Sequence, residues 1–398
     1  MFKRFGIALS VLTAVISFSC SSDGGLRVEA LSCEIDSVDC AFVTPDGNVT
    51  ECALPALRLS PVVNGFFNAS LSDGIAVYRW NDGNPEPLTG LSKLKSAGFF
   101  AEGVIPVSRQ GSHIQFVDAD AKVVAELELP EGEITECGPC FVDGLLAVTT
   151  DKSTTGFVDN RGKMIVDPIY SSVGPVSDRR FVAMYESAEG NVSRQQFVVV
   201  DFDGHTLYDF PSGITPVDMK LHSSRVVVRT PSGFGVCDIS SGGSVTPLPA
   251  AVRAVTETAG GLIVYRVASG MKGLLDIDGK LCLQPVFRQI RIGADNRVAV
   301  YDGKIWALMD KDGENRVDLP GIISVAPAGH YAQENGFAFV ARTAGGAWSL
   351  LDAEGKKLGS KPLSAITYGD LTVAAKVVSD YPSATTPVEL PFEEEMEY

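Results

Sequence analysis

The feature that most constrains the fold is an aspartate with a glycine turn, which returns about every 40 residues. Each aspartate directly follows a short apolar segment, and the clear copies are Asp118, Asp159, Asp201, Asp238, Asp276, Asp310 and Asp352. Consecutive copies lie 34 to 42 residues apart, and two weaker copies precede them around Asp46 and Asp82. Such a period is typical of folds in which one small unit packs against copies of itself.

Each repeat has the pattern of short β-strands. Its apolar runs are four to seven residues long and rich in Val, Ile, Phe and Tyr, and its turns carry Asp-Gly, Gly-Gly or Ser-Gly, which favour hairpins. After the turn comes a second strand that often ends in proline, and about 20 residues past the aspartate comes a third, as at 180–184 and 371–377. After the N-terminal segment, no stretch of 12 or more residues has a helical apolar period.

A sheet of about 40 residues cannot bury both of its faces alone, so neighbouring sheets must cover one another. We therefore predict an all-β, propeller-like domain of seven or eight blades over residues 29–378. The alternative is an open β-solenoid, whose strands are usually parallel, whereas Asp-Gly turns favour antiparallel hairpins.

The unit at 156–170 and the unit at 273–287 share a strand, Asp-x-x-Gly-Lys, an apolar strand and a proline–x–aromatic step. This pattern, over roughly 110–378, resembles the WG-repeat family. The Trp-Gly dipeptide of that family is missing, since Trp306 and Trp348 precede Ala307 and Ser349. The resemblance implies a β-repeat scaffold and no particular activity.

The N-terminal residues read as an export signal. Lys3 and Arg4 precede an apolar stretch at 5–18, which is too short to span a bilayer comfortably. Cys20 follows directly after Ser19, which resembles the loose lipoprotein signal of Bacteroidota, and that resemblance implies acylation of Cys20. We predict a signal peptide at 1–19, a lipidated tether at 20–28 and an outer-membrane location, because no aspartate follows the cysteine.

The formal net charge of −16 disfavours nucleic acid as a partner, because an acidic surface repels phosphate backbones. The last 20 residues, 379–398, contain three consecutive glutamates and few apolar residues, which predicts an acidic disordered tail.

Two further cysteines, Cys137 and Cys140, enclose Gly138 and Pro139 as in thioredoxin-like enzymes. Those enzymes lower the thiol pKa with a following helix, whereas here a turn and a strand follow. We expect a local disulfide or a thiol pair and no redox catalysis. A zinc site would need two more ligands, and the sequence has no second CxxC or CxxH. Because seven cysteines remain beyond Cys20, at least one is unpaired, and the sequence does not give the connectivity.

The remaining motifs likewise do not indicate a catalytic or metal site. The Asp-x-Asp-Gly segments at 201–204, 276–279 and 310–313 resemble fragments of calcium loops but lack the remaining ligands, so they are read as turns. The four histidines, far apart in sequence, are His113, His205, His222 and His330. We find no nucleophile elbow, phosphate loop or HExxH motif.

These observations predict a non-catalytic envelope lipoprotein that acts as a binding or scaffold module. It is held at the membrane by its lipid, and its partner is an envelope protein or a glycan. We expect no metal and no cofactor. The alternative is an envelope hydrolase acting on peptides or glycans, for which acids, histidines and a nucleophile would converge in space.

Overall fold

A computed structural model describes residues 26–35, 39–81, 83–109, 113–127, 133–189, 192–293, 296–329 and 335–367. Cys20, His330, the predicted strand at 371–377 and the segments 1–19 and 379–398 lie outside these residues. Within them, no helix is long and apolar enough to cross a membrane.

The described residues form 37 strands and one 3₁₀ turn, Ile239–Ser241. The strands of the N-terminal third are β1 (Val28–Ile35), β2 (Asp39–Val43), β3 (Val49–Glu51), β4 (Arg58–Leu59), β5 (Val62–Val63), β6 (Phe66–Leu71), β7 (Gly74–Asn81), β8 (Asn84–Pro87), β9 (Ser96–Ala97), β10 (Ile105–Ser108), β11 (Ile114–Val117) and β12 (Val123–Leu127). Those of the middle third are β13 (Ile134–Cys137), β14 (Leu146–Thr150), β15 (Thr155–Val158), β16 (Met164–Tyr170), β17 (Ser172–Val173), β18 (Arg180–Glu189), β19 (Val192–Asp201), β20 (Thr206–Asp209), β21 (Thr215–Pro216), β22 (Arg225–Thr230), β23 (Gly233–Asp238) and β24 (Ser244–Pro247). Those of the last third are β25 (Ala254–Ala259), β26 (Leu262–Arg266), β27 (Lys272–Asp276), β28 (Leu281–Phe287), β29 (Gln289–Ile292), β30 (Arg297–Tyr301), β31 (Trp306–Asp310), β32 (Val317–Leu319), β33 (Ile322–Pro327), β34 (Phe339–Thr343), β35 (Trp348–Leu351), β36 (Lys357–Leu363) and β37 (Ala365–Ile366).

These strands form nine units, each with four antiparallel strands in chain order. There are two exceptions: the first strand of unit 1 is β37, and two short strands share the first place in unit 2. Units 3 to 9 are separate sheets, from β9–β12 to β33–β36. Units 1 and 2 are joined in one sheet, because the beginning of β1 pairs with β5. Since every strand pair in the described residues is antiparallel, the parallel solenoid is wrong and the propeller-like fold is confirmed.

The ring is closed by the end of the chain. In unit 1 the first strand is β37, which pairs with β1 through Cys33–Ile366 and Glu34–Ala365. Two backbone hydrogen bonds extend this pairing, from Ser364 N to Glu34 O (2.9 Å) and from Thr367 N to Ser32 O (2.8 Å). In the described residues the nine units form eight hydrogen-bonded sheets, because units 1 and 2 share one, and eight sheets agree with the predicted seven or eight blades. The two weak copies around Asp46 and Asp82 mark the third-to-fourth hairpins of units 1 and 2.

The core consists of apolar clusters between consecutive units. Separate clusters join units 1 and 2, 2 and 3, 4 and 5, 5 and 6, 6 and 7, 7 and 8, and 8 and 9. One larger cluster joins unit 9 to unit 1 and also unit 3 to unit 4. Every one of the nine interfaces is therefore apolar, so each sheet is covered by its neighbours as the repeat predicts.

The recurring aspartate has a local explanation in the hairpin between third and fourth strands. The Asp276 carboxylate accepts hydrogen bonds from the backbone N–H of Asp278 (3.0 Å) and Lys280 (2.8 Å). Gly279 completes the turn at φ +79°. The same pair of bonds recurs at Asp118, Asp159, Asp201 and Asp352. The aspartate is thus a turn residue, since it satisfies two backbone donors that no strand partner reaches.

The proline–aromatic step is a bulge in the fourth strand. Between the pairs Phe157–Val166 and Thr155–Tyr170, β16 has two more residues than β15. A Cβ on Gly156 would lie 2.4 Å from the Val166 carbonyl oxygen, so only glycine fits beneath the bulge. Tyr170 then returns to the core.

The first strand of each unit lies on the inner side of the ring. First strands of neighbouring units contact one another, as β25 and β29 do, and β29 and β33. The fourth strands are mostly exposed, for example β8, β20 and β24. Polar residues on first strands therefore face the place where units converge.

Candidate functional site

Charged side chains from three consecutive units gather at the inner strands of units 6 to 8. The group contains Asp218, Lys220, His222, Glu257, Thr258, Lys272, Gln289 and Arg291, and we call it the inner polar cluster. It holds three basic side chains in a chain whose formal net charge is −16. The cluster also holds two acids, Asp218 and Glu257, so its cations exceed its acids by one. This small excess favours an acidic ligand over a basic one.

Glu257 lies at the centre of the inner polar cluster. A β-bulge between Val255 and Glu257 precedes it in β25, and bulges commonly redirect a side chain. Its carboxylate accepts a hydrogen bond from Ile292 N (3.1 Å) and lies 3.8 Å from the guanidinium of Arg291. Burial raises the pKa of Glu257, and the backbone donor, Arg291 and two lysines oppose this rise only in part.

Lys272 is one of those lysines, and it is only 8% exposed. Its ammonium group donates to Gln289 Oε1 at 3.0 Å. The equivalent position, four residues before the aspartate, holds Trp306 and Trp348 in units 8 and 9, and both contribute to apolar clusters. A buried lysine is costly unless it has partners, so its presence at an apolar position marks this unit as different from the others.

The other side of β25 faces unit 6, where Asp218, His222 and Thr258 meet. The Thr258 hydroxyl donates to the Asp218 carboxylate, and His222 Nε2 lies 3.0 Å from the same hydroxyl oxygen. Lys220 Nζ lies 3.4 Å from the Thr258 carbonyl oxygen. An acid, an imidazole and a hydroxyl are thus within hydrogen-bond reach, which is the convergence that the hydrolase alternative required.

The direction of these bonds is opposite to that of a catalytic triad. A nucleophilic hydroxyl gives its proton to the imidazole, which the acid orients. Here the Thr258 proton is directed to Asp218, so His222 must donate its Nε2–H to the hydroxyl oxygen. Burial lowers the pKa of His222, which keeps the ring neutral, and Thr258 is only 2% exposed. The arrangement suits a polar link between units 6 and 7.

The predicted cysteine motif lies elsewhere, between units 3 and 4. Cys137 ends β13 and Cys140 lies in the loop before β14, and both are buried, free thiols. Burial raises the pKa of Cys137 to about 12 and the pKa of Cys140 further still. A strand follows the motif, and the Pro139 carbonyl oxygen accepts a hydrogen bond from Phe99 N (2.6 Å) of unit 3. The segment thus joins two units, its two cysteines are free thiols here, and the expectation of a local disulfide or a thiol pair stays a prediction.

The three histidines in the described residues lie at separate places in the ring, and His205 is the one beside an Asp-Gly turn. His113 and His205 are exposed, on units 3 and 5, and each lies beside a carboxylate of its own unit. Asp201, Asp203 and His205 have ligand atoms within 4.8 Å of one another. However, the Asp201 carboxylate already accepts from two backbone N–H groups of its turn. At Asp310 the carboxylate instead accepts from Arg297 (2.8 Å) and from Asn315.

The comparisons with known proteins bear on the fold. No protein-family model and no curated protein matches the sequence. Among solved structures, one described as a eukaryotic initiation factor is 9% identical, with 85% of this chain and 97% of that chain covered at a TM-score of 0.55. Apo AztD from Citrobacter koseri is 14% identical, with 85% and 96% covered at 0.38. BamB from Moraxella catarrhalis is 13% identical, with 72% and 93% covered at 0.35. At 9% identity and a TM-score of 0.55, the likeness to the initiation factor structure shows a shared fold alone.

Proposed function

We propose that this chain is a non-catalytic binding module of the cell envelope, anchored by a lipid on Cys20. The observation that carries the proposal is the inner polar cluster, in which Lys220, Lys272 and Arg291 from three units surround Glu257. A ring of packed sheets holds such groups rigidly, and a rigid site loses little entropy on binding.

The ligand chemistry that fits is a carboxylate. Lys220 and Arg291 are half-buried and come from different units, and both act to lower the pKa of Glu257, so we infer that they serve the same acidic ligand. Arginine matches a carboxylate with two parallel hydrogen bonds, whereas lysine supplies a point charge. An acidic segment of an envelope protein and an acidic glycan both offer this group.

The hydrogen-bond order at Thr258 supports the binding proposal over the hydrolase alternative. The hydroxyl proton is directed to the Asp218 carboxylate and the His222 ring donates to the hydroxyl oxygen, so His222 is not placed as the base of a triad. The WG-repeat resemblance also stays a prediction, and it implies no activity.

The test is affinity capture from the native envelope with the full chain, comparing wild type with K220A and R291A. The matched control is R316A, which removes an arginine that pairs with Asp302 and Asp318 on unit 8, away from the inner polar cluster. We expect both cluster variants to lose the captured partner, R316A to retain it, and moderate salt to weaken capture. Protease or glycosidase treatment of the envelope then tells which kind of partner carries the carboxylate. Equal capture by all variants would refute the site.

The lipid anchor is tested separately. Cys20→Ala should release the protein from membranes, and the wild type should incorporate labelled palmitate. Unchanged membrane fractionation of C20A would contradict the anchor and leave the binding site untouched.

A further inference from the structure

Three cysteines lie on unit 1, the unit that closes the ring. Cys40 is in β2, Cys52 follows β3, and Cys33 is in β1. The pairs between β2 and β3 are Ala41–Glu51, Phe42–Thr50 and Val43–Val49. Continuing that register by one residue places Cys40 directly opposite Cys52.

A backbone hydrogen bond holds this register. Cys52 N donates to Cys40 O at 2.9 Å, which makes the two residues a hydrogen-bonded antiparallel pair. Such pairs have a Cα–Cα separation of about 5.5 Å, within the range of about 4.4 to 6.8 Å that disulfides span. Directly opposed residues also point to the same face of the sheet.

Cys33 is excluded by the same register. Cys33 is opposite Ala41 and Glu34 is opposite Cys40, so Cys33 and Cys40 point to opposite faces. The packing agrees with this assignment. Cys33 packs in the cluster toward unit 9, whereas Cys40 and Cys52 pack in the cluster toward unit 2.

We propose that Cys40 and Cys52 are a covalent modification site, joined by a disulfide when the protein meets a disulfide oxidant. Cys40 is the more accessible thiol, since it is half-buried and Cys52 is 6% exposed. The Cys40 thiolate attacks the oxidant and forms a mixed disulfide, releasing one thiol of the oxidant. The Cys52 thiolate then displaces the second thiol, so the S–S bond forms as two protons and two electrons pass to the oxidant.

The bond would fix the outer half of unit 1, the unit that closes the ring. It would link β2 to the chain leaving β3, in the sheet whose first strand comes from the C-terminal end. The inference needs a disulfide oxidant, which the proposed envelope location supplies. It does not need the binding function, and oxidation of purified protein tests it without the location.

The experiment is a fragment map of the folded wild-type protein after oxidation by glutathione disulfide and capping of the remaining thiols. Cleavage at glutamates alone separates the three cysteines, because Glu29, Glu34, Glu51 and Glu102 place Cys33 in 30–34, Cys40 in 35–51 and Cys52 in 52–102, the Glu86–Pro87 bond being resistant. We expect one linked pair, 35–51 with 52–102, which separates on reduction. C52A should leave fragment 35–51 with a capped thiol.

A linkage of 30–34 to 35–51, or no linkage of 35–51 at all, would overturn the proposal. The wild-type map does not depend on whether a variant folds. The same map on protein taken from the envelope tests the location: a pair that forms with glutathione disulfide but is reduced in the envelope would contradict the location and leave the site intact.

Discussion

Ile366→Ala tests whether the ring is held closed by β37. Ile366 is 1% exposed and is the only deeply buried side chain of that two-residue strand. Truncating a buried isoleucine costs about 3 kcal/mol in stability, from the lost apolar burial and the cavity that remains. If β37 opens by itself, its opening equilibrium should rise about 100-fold.

The matched control is Ile290→Ala. Ile290 is 0% exposed and lies in β29, the first strand of unit 8, whose partner β30 follows directly in the chain. Hydrogen exchange measured by fragment mass spectrometry should show segment 361–367 exchanging about 100-fold faster in I366A and at the wild-type rate in I290A. Both variants should lower the urea midpoint. If both accelerate all segments equally, the closing strand opens only with the whole ring, and the reasoning fails.

Three further predictions follow from local structure. Gly279→Ala should lower the free energy of unfolding by about 1 kcal/mol, because the turn needs a positive φ. Ala121 occupies the equivalent position with φ +63°, so Ala121→Gly should leave the stability unchanged or raise it. Urea unfolding measures both effects. Hydrogen bonds from Arg297 and Asn315 lower the pKa of Asp310. The ionised carboxylate therefore stabilises the folded protein above about pH 4, and this contribution is lost as the pH falls through the lowered pKa. D310N should flatten this acid dependence in unfolding curves, and D312N should not. Burial lowers the pKa of His222, so stability should decline as pH falls below about 6.5; H222Q should remove that decline between pH 7.5 and 5.5.

The fold was largely predictable from the turns. The aspartate that satisfies two backbone donors marks the hairpin between third and fourth strands, and the sequence displays that hairpin in every unit. The first strands were missed, because several have only two residues, as in Ser172–Val173. The third predicted strand, at 180–184, is the second strand of the following unit.

The inner polar cluster was not predicted. Only Lys272 carried a signal, since a lysine replaces an apolar residue at a position that the repeat defines. Glu257 and Arg291 lie on first strands, which no motif marks. Glu257 and Arg291 are close because neighbouring sheets converge at their first strands. The spacing of residues in a single sequence does not reveal that geometry.

The pairing of Cys33 with Ile366 has a consequence for biogenesis. These partners are about 330 positions apart in the chain, and synthesis at roughly 5 to 20 residues per second separates their appearance by about 20 to 60 seconds. Until then, the edge of β1 lacks its last neighbour and offers unsatisfied amides and carbonyls to any other chain. The ring of such a nascent polypeptide therefore stays open until Ile366 has been made, and its unpaired edge calls for a chaperone meanwhile.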